Sequence, residues 1–493
     1  MTNDHPNPKL QISWNFAQLG VLIFPWIPSL GGIGLFLALA GVWWQKYHQI
    51  IRYPVNKGLA IWSIWLIIIS VFAFQPGESF LGLANFLPFL IFFAAFSVLI
   101  QTPQQLQRLA WLLVIPSLPI VILGLGQIFW GWSTSSQLLG VFGWVLEAGG
   151  NPPGRMASVF IYANILAAYL VIVFTLGLGL WIEAISELTL KWKNNSQPLA
   201  KDKPNMGLCQ FGKNLAHFLT PPFNKGGWGG KKSENKQLSL LEEDASQSPH
   251  PSLDVWRIGF LTVTVIVDAI ALILTNSRNA WGIIVFVCLA FALYQGWRWL
   301  VAGVIATAAT VLGAAFSPSP LREWLRIIVP AYFWARFTDQ LYPDRPVALM
   351  RVTQWHFALS MTGQRPWLGW GLRNFTPLYE EKMNLWLGHP HNLLLMLTAE
   401  TGIPATVLLF GVVGWILAQG AIVAMRGLSR NCDSLRCCKA YRLILFTYLL
   451  TFGSCILFNA VDVSIFDLRV NTLGWLILSA ICGIVYREGM GYK

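Results

Sequence analysis

The chain has 493 residues, of which 55% are apolar and 11% charged, against about 25% charged in a soluble domain. That composition excludes an ordinary soluble enzyme. The net charge of +12 would suggest nucleic acid in a soluble protein, but in a membrane protein it is the excess expected of basic cytoplasmic loops, so no nucleic-acid partner is expected.

Apolar runs long enough to cross about 30 Å of hydrocarbon recur along the whole chain. The short alternating segments of a β-barrel are missing. The expected fold is an all-α polytopic membrane protein with about twelve transmembrane helices, surrounded by membrane lipids. The spans fall near 14–29, 31–45, 58–75, 80–101, 109–130, 157–182, 256–275, 279–296, 298–316, 392–425, 440–460 and 468–486. The first two, with Pro25, Pro28 and the Gly31-Gly32 pair, read as a broken hairpin. Gly402 and Pro404 mark a break in the tenth.

Lys and Arg in the short loops set the orientation. Lys46, Arg52 and Lys57, then Arg108, Arg298, and the Arg426–Arg442 group fall on one side, with both termini. Glu78, Asp462 and Asp467 fall on the other. The expectation is an inner-membrane protein with cytoplasmic termini. No cleavable signal peptide is expected, since no small-residue cleavage site follows the first apolar stretch.

The chain divides into N-terminal spans (1–182), a polar insertion (183–255), a central region (256–425) and C-terminal spans (426–493). The insertion is read as a flexible cytoplasmic loop. Its Leu219–Gly230 stretch, rich in Pro and Gly, lacks the strand and the G-K-[ST] ending of a phosphate loop. A second long loop, 317–391, lies on the periplasmic side. Its six tryptophans and mixed charges read as short amphipathic helices at the membrane interface, a lid or substrate platform. Cys209, Cys288, Cys432, Cys437, Cys438, Cys455 and Cys482 are read as reduced thiols.

Three features share the periplasmic face. Gly154-Arg155 through Asn164 leads into the sixth span. Thr275-Asn-Ser277-Arg278-Asn-Ala280 makes the turn between the seventh and eighth. Pro366-Trp-Leu-Gly369-Trp-Gly371-Leu-Arg373-Asn-Phe375 is followed by His389-Pro-His391-Asn392 and Glu400-Thr-Gly402. Arg155 and Arg278 at a membrane border can snorkel to lipid phosphate. Two on one face favour an anion site, because a guanidinium fork matches phosphate oxygens. His391 stands at the N-terminus of a span, where the helix dipole favours a neutral imidazole able to act as general base. His389 and His391 resemble a metal pair, but no third ligand is evident, so no metal or other cofactor is expected. Asp268 and Glu400 lie within spans, where an acid is a functional candidate by default. Glu400 falls on the helix side opposite His391 and is read as structural. Asp462 and Asp467 rank as weaker candidates.

In this order, P-x-L-G-x-G-x-x-x-F, H-x-H-N and E-x-G resemble the shared domain of the O-antigen ligase and Wzy polymerase family of membrane glycosyltransferases. The two arginine segments resemble that family's arginine sites. The resemblance implies transfer of a glycan from undecaprenyl pyrophosphate to an acceptor sugar, such as the lipid A core, at the periplasmic face and without metal or nucleotide. It implies that Arg155 and Arg278 bind the pyrophosphate, that His391 activates the acceptor hydroxyl, and that Asn392, Asn164 and Arg373 contribute to substrate binding. Other polysaccharide assembly proteins are implied as possible partners. Ala405 and Gly282 depart from the ligase pattern, which leaves ligase and polymerase both open. Some relatives carry a bicarbonate-transporter label, and two arginines suit that anion as well. Transport is the rival reading, although no internal repeat supports it.

Overall fold

The computed structural model describes residues 5–195, 251–338, 346–426 and 435–489. These are helical throughout, with no strand among them. Ten helical segments are long and apolar enough to cross a membrane, and they coincide with the last ten of the twelve expected spans. The first two become a hairpin of α1 (Gln11–Ile23) and α2 (Pro28–Arg52). The Ile27 amide donates to the Ile23 carbonyl at 2.8 Å in the turn between them.

Proline sets many of the helix starts, because its missing N–H is one that a first turn leaves unpaired anyway. It opens α2, α3 (Pro54–Val71), α4 (Pro76–Gly82) and α6 (Pro103–Val114). At α6, Thr102 and Gln105 complete a capping box, with the Gln105 amide 3.2 Å from the Thr102 hydroxyl. The fourth and fifth spans are composite. α4 leads through a short turn into α5 (Leu87–Leu99), and α6 leads through Pro116 into α7 (Ser117–Phe129).

The fold describes two units. One comprises Met1–Trp181 with Leu261–Lys493, the other Ile182–Phe260. In the larger unit α5 and the last helix, Leu468–Gly489, pack together and are buried on nearly all sides, around Phe93, Phe96, Leu476 and Ile481. By contrast, the helix Arg298–Phe316 leaves most of its apolar side chains exposed, and Arg278–Gln295 leaves Val285, Phe286, Leu293 and Tyr294 exposed, as lipid-facing spans do. In the smaller unit Arg257 pairs with Glu187 at 3.1 Å and Glu183 at 3.8 Å.

The smaller unit corrects one boundary. The helix that begins at Ala163 runs on to Asn195, and the next begins at Pro251, so 183–195 is helix rather than loop. Its polar composition reads as loop because acidic residues such as Glu183 and Glu187 look solvated in sequence, yet they are bound by Arg257. The Leu219–Gly230 stretch, Cys209, Cys432, Asp339, Asp344, Arg345 and Arg430 lie outside the described residues. Cys288, Cys455 and Cys482 are free thiols.

Helix ends alternate between two faces. One face gathers His5, Leu99, Gln101 and Arg487: His5 Nε2 lies 2.9 Å from the Leu99 carbonyl and Arg487 donates to the Gln101 carbonyl at 3.2 Å. The opposite face gathers residues 72–75, 130–162, 275–277, 460–467 and the described parts of the long 317–391 segment. That long segment forms short helices, including Leu321–Ile328, Ala331–Phe337, Arg351–Gln364 and Phe375–Met383. Trp324, Ile327 and Ile328 stand out from the first of them, exposed and apolar.

Candidate functional site

The tenth expected span, Leu393–Arg426, breaks where its glycine and proline indicated. Gly402 has φ 80° and ψ 164°. A break frees backbone carbonyls, and at membrane depth these need protein partners. The Pro366–Phe375 segment supplies them. The Trp370 amide donates to the Ala399 carbonyl at 3.0 Å, Gly371 to Glu400 at 2.8 Å, and Ile403 returns a bond to the Pro366 carbonyl at 2.8 Å. Buried Glu400 accepts the Phe375 amide on its carboxyl at 3.3 Å. The two segments touch so closely that a Cβ on Gly369 would sit 2.5 Å from the Glu400 carbonyl, and one on Gly402 would collide with the Trp367 carbonyl. Two of the three motif pieces are thus a backbone clamp. Glu400 takes part in the clamp through both its carbonyl and its carboxyl.

The clamp sets the approach to His391. Phe375 stacks on Tyr379, with ring centres 5.2 Å apart, and Thr376 holds the Gly388 carbonyl at 3.1 Å. Asn392 caps the following helix by accepting the Leu395 amide at 3.0 Å. Its amide nitrogen donates to the Ala460 carbonyl at 2.9 Å. His391 just before it adopts φ 53°, a left-handed conformation that is uncommon outside glycine and clusters at functional sites.

His391 meets an acid that the sequence ranked low. Its Nδ1 lies 2.8 Å from Asp462 Oδ1. Asp462 is nearly buried, while the imidazole is 29% exposed, so the pair is closed behind and open in front. Burial pushes the Asp462 carboxyl up, but the hydrogen bond and charge of His391, with help from His389 and the Val463 amide, outweigh it and hold the carboxyl below its ordinary value. An ionised carboxylate only accepts hydrogen bonds, so Nδ1 carries a proton, and in the neutral form of the ring Nε2 presents its lone pair. That tautomer is the one a general base needs.

The same carboxylate reaches the first arginine segment. Asn164 donates to Asp462 Oδ2 at 2.7 Å, and the Arg155 guanidinium donates to Asn164 Oδ1 at 2.5 Å. Arg155 Nε also donates to the Thr275 carbonyl at 2.8 Å, three residues before Arg278. One chain of polar contacts therefore runs Thr275, Arg155, Asn164, Asp462, His391. The irregular 156–161 segment that carries it is held in place by Gln127, which accepts the Ala157 and Ser158 amides at 3.1 and 2.8 Å. Buried Arg469 donates to the Val159 carbonyl at 2.8 Å and lies 3.9 Å over the Phe160 ring.

Two further expected residues sit on other elements. Arg278 is the first residue of its helix and is exposed. Arg373 has φ 62° and pairs with Glu78 at 3.3 Å, beside the clamp. The two residues that sequence reasoning underrated are Asp462 and His389. His389 stacks on Phe466 and meets His391 edge-on at 4.5 Å, accepting the His391 amide on Nδ1 at 3.2 Å. Burial pulls its imidazole down to about 4, helped by His391 and Arg351 and opposed by Asp462. One donor atom from each of His389, His391 and Asp462 lies within 4.8 Å of the others. Asp462 thus stands as a third candidate donor beside the two histidines.

Next to the 460–464 turn is a cavity of about 280 Å³ between the helices Leu393–Arg426, Leu435–Asn459 and Leu468–Gly489. Leu394, Leu397, Phe410, Phe452, Ile456 and Trp475 make its walls apolar. Its lining begins at Leu393, next to Asn392, and includes Ala460 and Ser464 on either side of Asp462.

Apolar helices that span a membrane, with a half-open histidine and its acid gathered at one face, define a multi-pass membrane protein with a polar site at a membrane border. Residues 263–410 match the family model described as O-antigen ligase. No curated protein matches the chain.

Proposed function

We propose that the protein is a membrane glycosyltransferase of the O-antigen ligase type. It moves a glycan from undecaprenyl pyrophosphate to an acceptor sugar at the periplasmic face of the inner membrane. The observation that carries the reading is the His391–Asp462 pair, polar and half-open, at the rim of an apolar cavity. A lipid-linked sugar has that same division. Its reacting carbon is separated from a hydrocarbon chain by only two phosphates, so a site for it needs an apolar wall beside polar chemistry.

In this mechanism the acceptor hydroxyl attacks the anomeric carbon of the donor glycan. The new carbon–oxygen bond forms as the bond from that carbon to the phosphate oxygen breaks. The pyrophosphate leaves on its lipid with the electron pair, and the configuration inverts. His391 Nε2 takes the hydroxyl proton, and Asp462 stabilises the resulting imidazolium. Arg155 and Arg278 offset the charge that grows on the leaving pyrophosphate. Asn164 orients Asp462, and Asn392 fixes the backbone on which His391 stands. Arg373, paired with Glu78, borders the acceptor side.

The test uses the purified full chain in lipid nanodiscs with undecaprenyl-pyrophosphate-linked glycan and a lipid A core acceptor. Product is followed by mass spectrometry. Wild type forms the transferred glycan, and Arg155→Ala, Arg278→Ala and His391→Ala do not, although all insert at native levels. Unchanged product from the His391 and arginine variants would overturn the mechanism. Donor chains lengthened without transfer to the acceptor would assign a Wzy-type polymerase instead.

A further inference from the structure

We propose that His389, His391 and Asp462 form a site for a transition-metal ion of the zinc type, and that the bound ion switches the site off. Two imidazoles and one carboxylate are a ligand set that Zn²⁺ favours and Mg²⁺ does not. Their donor atoms already lie within 4.8 Å of one another. Tetrahedral zinc, with bonds of about 2.0–2.1 Å, needs ligand atoms about 3.3 Å apart, so small side-chain rotations close the set.

The surroundings favour this set. The left-handed His391 backbone turns its ring against His389, with centres 4.5 Å apart. Phe466 stacks on the far side of His389 and fixes that ring. Asn164 holds the other Asp462 oxygen at 2.7 Å, the kind of outer contact that orients a metal-binding carboxylate. The His391 ring is 29% exposed, which leaves a path for the ion.

The consequence for catalysis rests on the function proposed above. Zinc bound here takes the place of the Nδ1 proton between His391 and Asp462, or occupies Nε2 itself. Either way His391 loses the arrangement in which Asp462 supports a proton arriving at Nε2. The ion is thus an inhibitor rather than a participant in transfer.

Metal binding is tested first and without any glycan. The full-length protein in detergent competes with a chromophoric chelator for Zn²⁺. One saturable equivalent is expected, weakened at least tenfold in both His389→Gln and Asp462→Asn and unaffected by millimolar Mg²⁺. Absence of saturable binding, or equal binding by wild type and both variants, would overturn the site. Correct insertion of each variant is checked by gel filtration, and His389→Gln keeps a polar side chain where Asp462→Asn disturbs the network. In the transfer assay micromolar Zn²⁺ should inhibit wild type, with the inhibition constant raised at least tenfold in His389→Gln relative to that variant's own metal-free rate. Stimulation by Zn²⁺ would overturn the inhibitory role. If no transfer is seen at all, the chelator competition still decides the metal site separately from the proposed function.

Discussion

The clamp at 366–375 and 399–403 and the polar chain from Arg155 to His391 are built in opposite ways. The clamp joins two segments about thirty residues apart through backbone bonds and glycine contacts, and Gly369, Gly371, Glu400 and Gly402 at those contacts are buried. The polar chain joins four segments through side chains, and one end of it is open. The segment that matches the O-antigen ligase family, 263–410, contains the whole clamp and His391. Asp462, Asn164 and Arg155 lie outside it. A domain match therefore marks the rigid frame together with Thr275, Arg278 and His391, while Arg155, Asn164 and Asp462 come from flanking segments that the fold brings back to the same face.

This contrast separates variants by what they should damage. The largest expected effect is His391→Ala, which removes the base and lowers transfer by about 10²–10⁴-fold with the melting temperature nearly unchanged. A steady-state rate beside a thermal melt checks both halves. Asp462→Asn keeps the shape but exchanges an acceptor oxygen for a donor, so the His391 tautomer and its support are both lost. The expected cost is about 10–100-fold in rate, by analogy with outer residues that orient a catalytic group, and the His391→Ala, Asp462→Asn double variant should be no worse than His391→Ala alone. Additive losses would show that Asp462 acts independently of His391.

Clamp variants should behave in the reverse manner. Glu400→Ala leaves the Phe375 amide without its buried acceptor, and such a loss costs about 1–3 kcal/mol. Gly402→Ala adds a methyl where φ is 80° and the Trp367 carbonyl is already in contact. Both should lower the yield of folded protein and its melting temperature, while the rate per folded molecule stays within a few-fold of wild type. A clamp variant with native stability and a collapsed rate would erase the distinction between the two regions.

Much of this frame is legible from the sequence because its signals are local. Apolar runs mark spans, and Gly402 and Pro404 mark the break. The register of Glu400, nine residues after His391, indicates its structural role. The site is only half legible. Arg155 and His391 stand out as polar residues at membrane borders, but their connection passes through Asn164 and Asp462, and His391 and Asp462 are 71 positions apart. No periodicity spans such a gap. Asp462 resembles any acid in a short turn until the last two helices bring it beneath the imidazole. His389 is hidden for a related reason: its value as a third donor depends on the left-handed turn at His391, which the residue type there does not indicate.

The smallest effect expected concerns His389, and it separates the two regions by pH. Burial, with His391 and Arg351, places its imidazole at about 4, below the ordinary 6.5, while Asp462 opposes the shift. Between those values the unfolded chain binds a proton that the folded chain does not. This group therefore takes away no stability above pH 6.5, progressively more as pH falls towards 4, and no more below that. Asp462 has the opposite pattern, since its folded value lies below the ordinary carboxyl value. Its contribution is present above about 3.8 and is lost only in stronger acid. Melting temperatures taken in chelator-containing buffer from pH 7.5 to 4 should therefore fall for wild type across the His389 window. In His389→Gln the fall should be shallower, because the titrating group is gone, whereas Gly402→Ala, which removes no titrating group, should shift the whole curve down and keep the slope of wild type. An unchanged slope in His389→Gln would mean that this ring is as well hydrated in the folded chain as in the unfolded one, and the closed back wall assigned to the His391–Asp462 pair would then have to be redrawn.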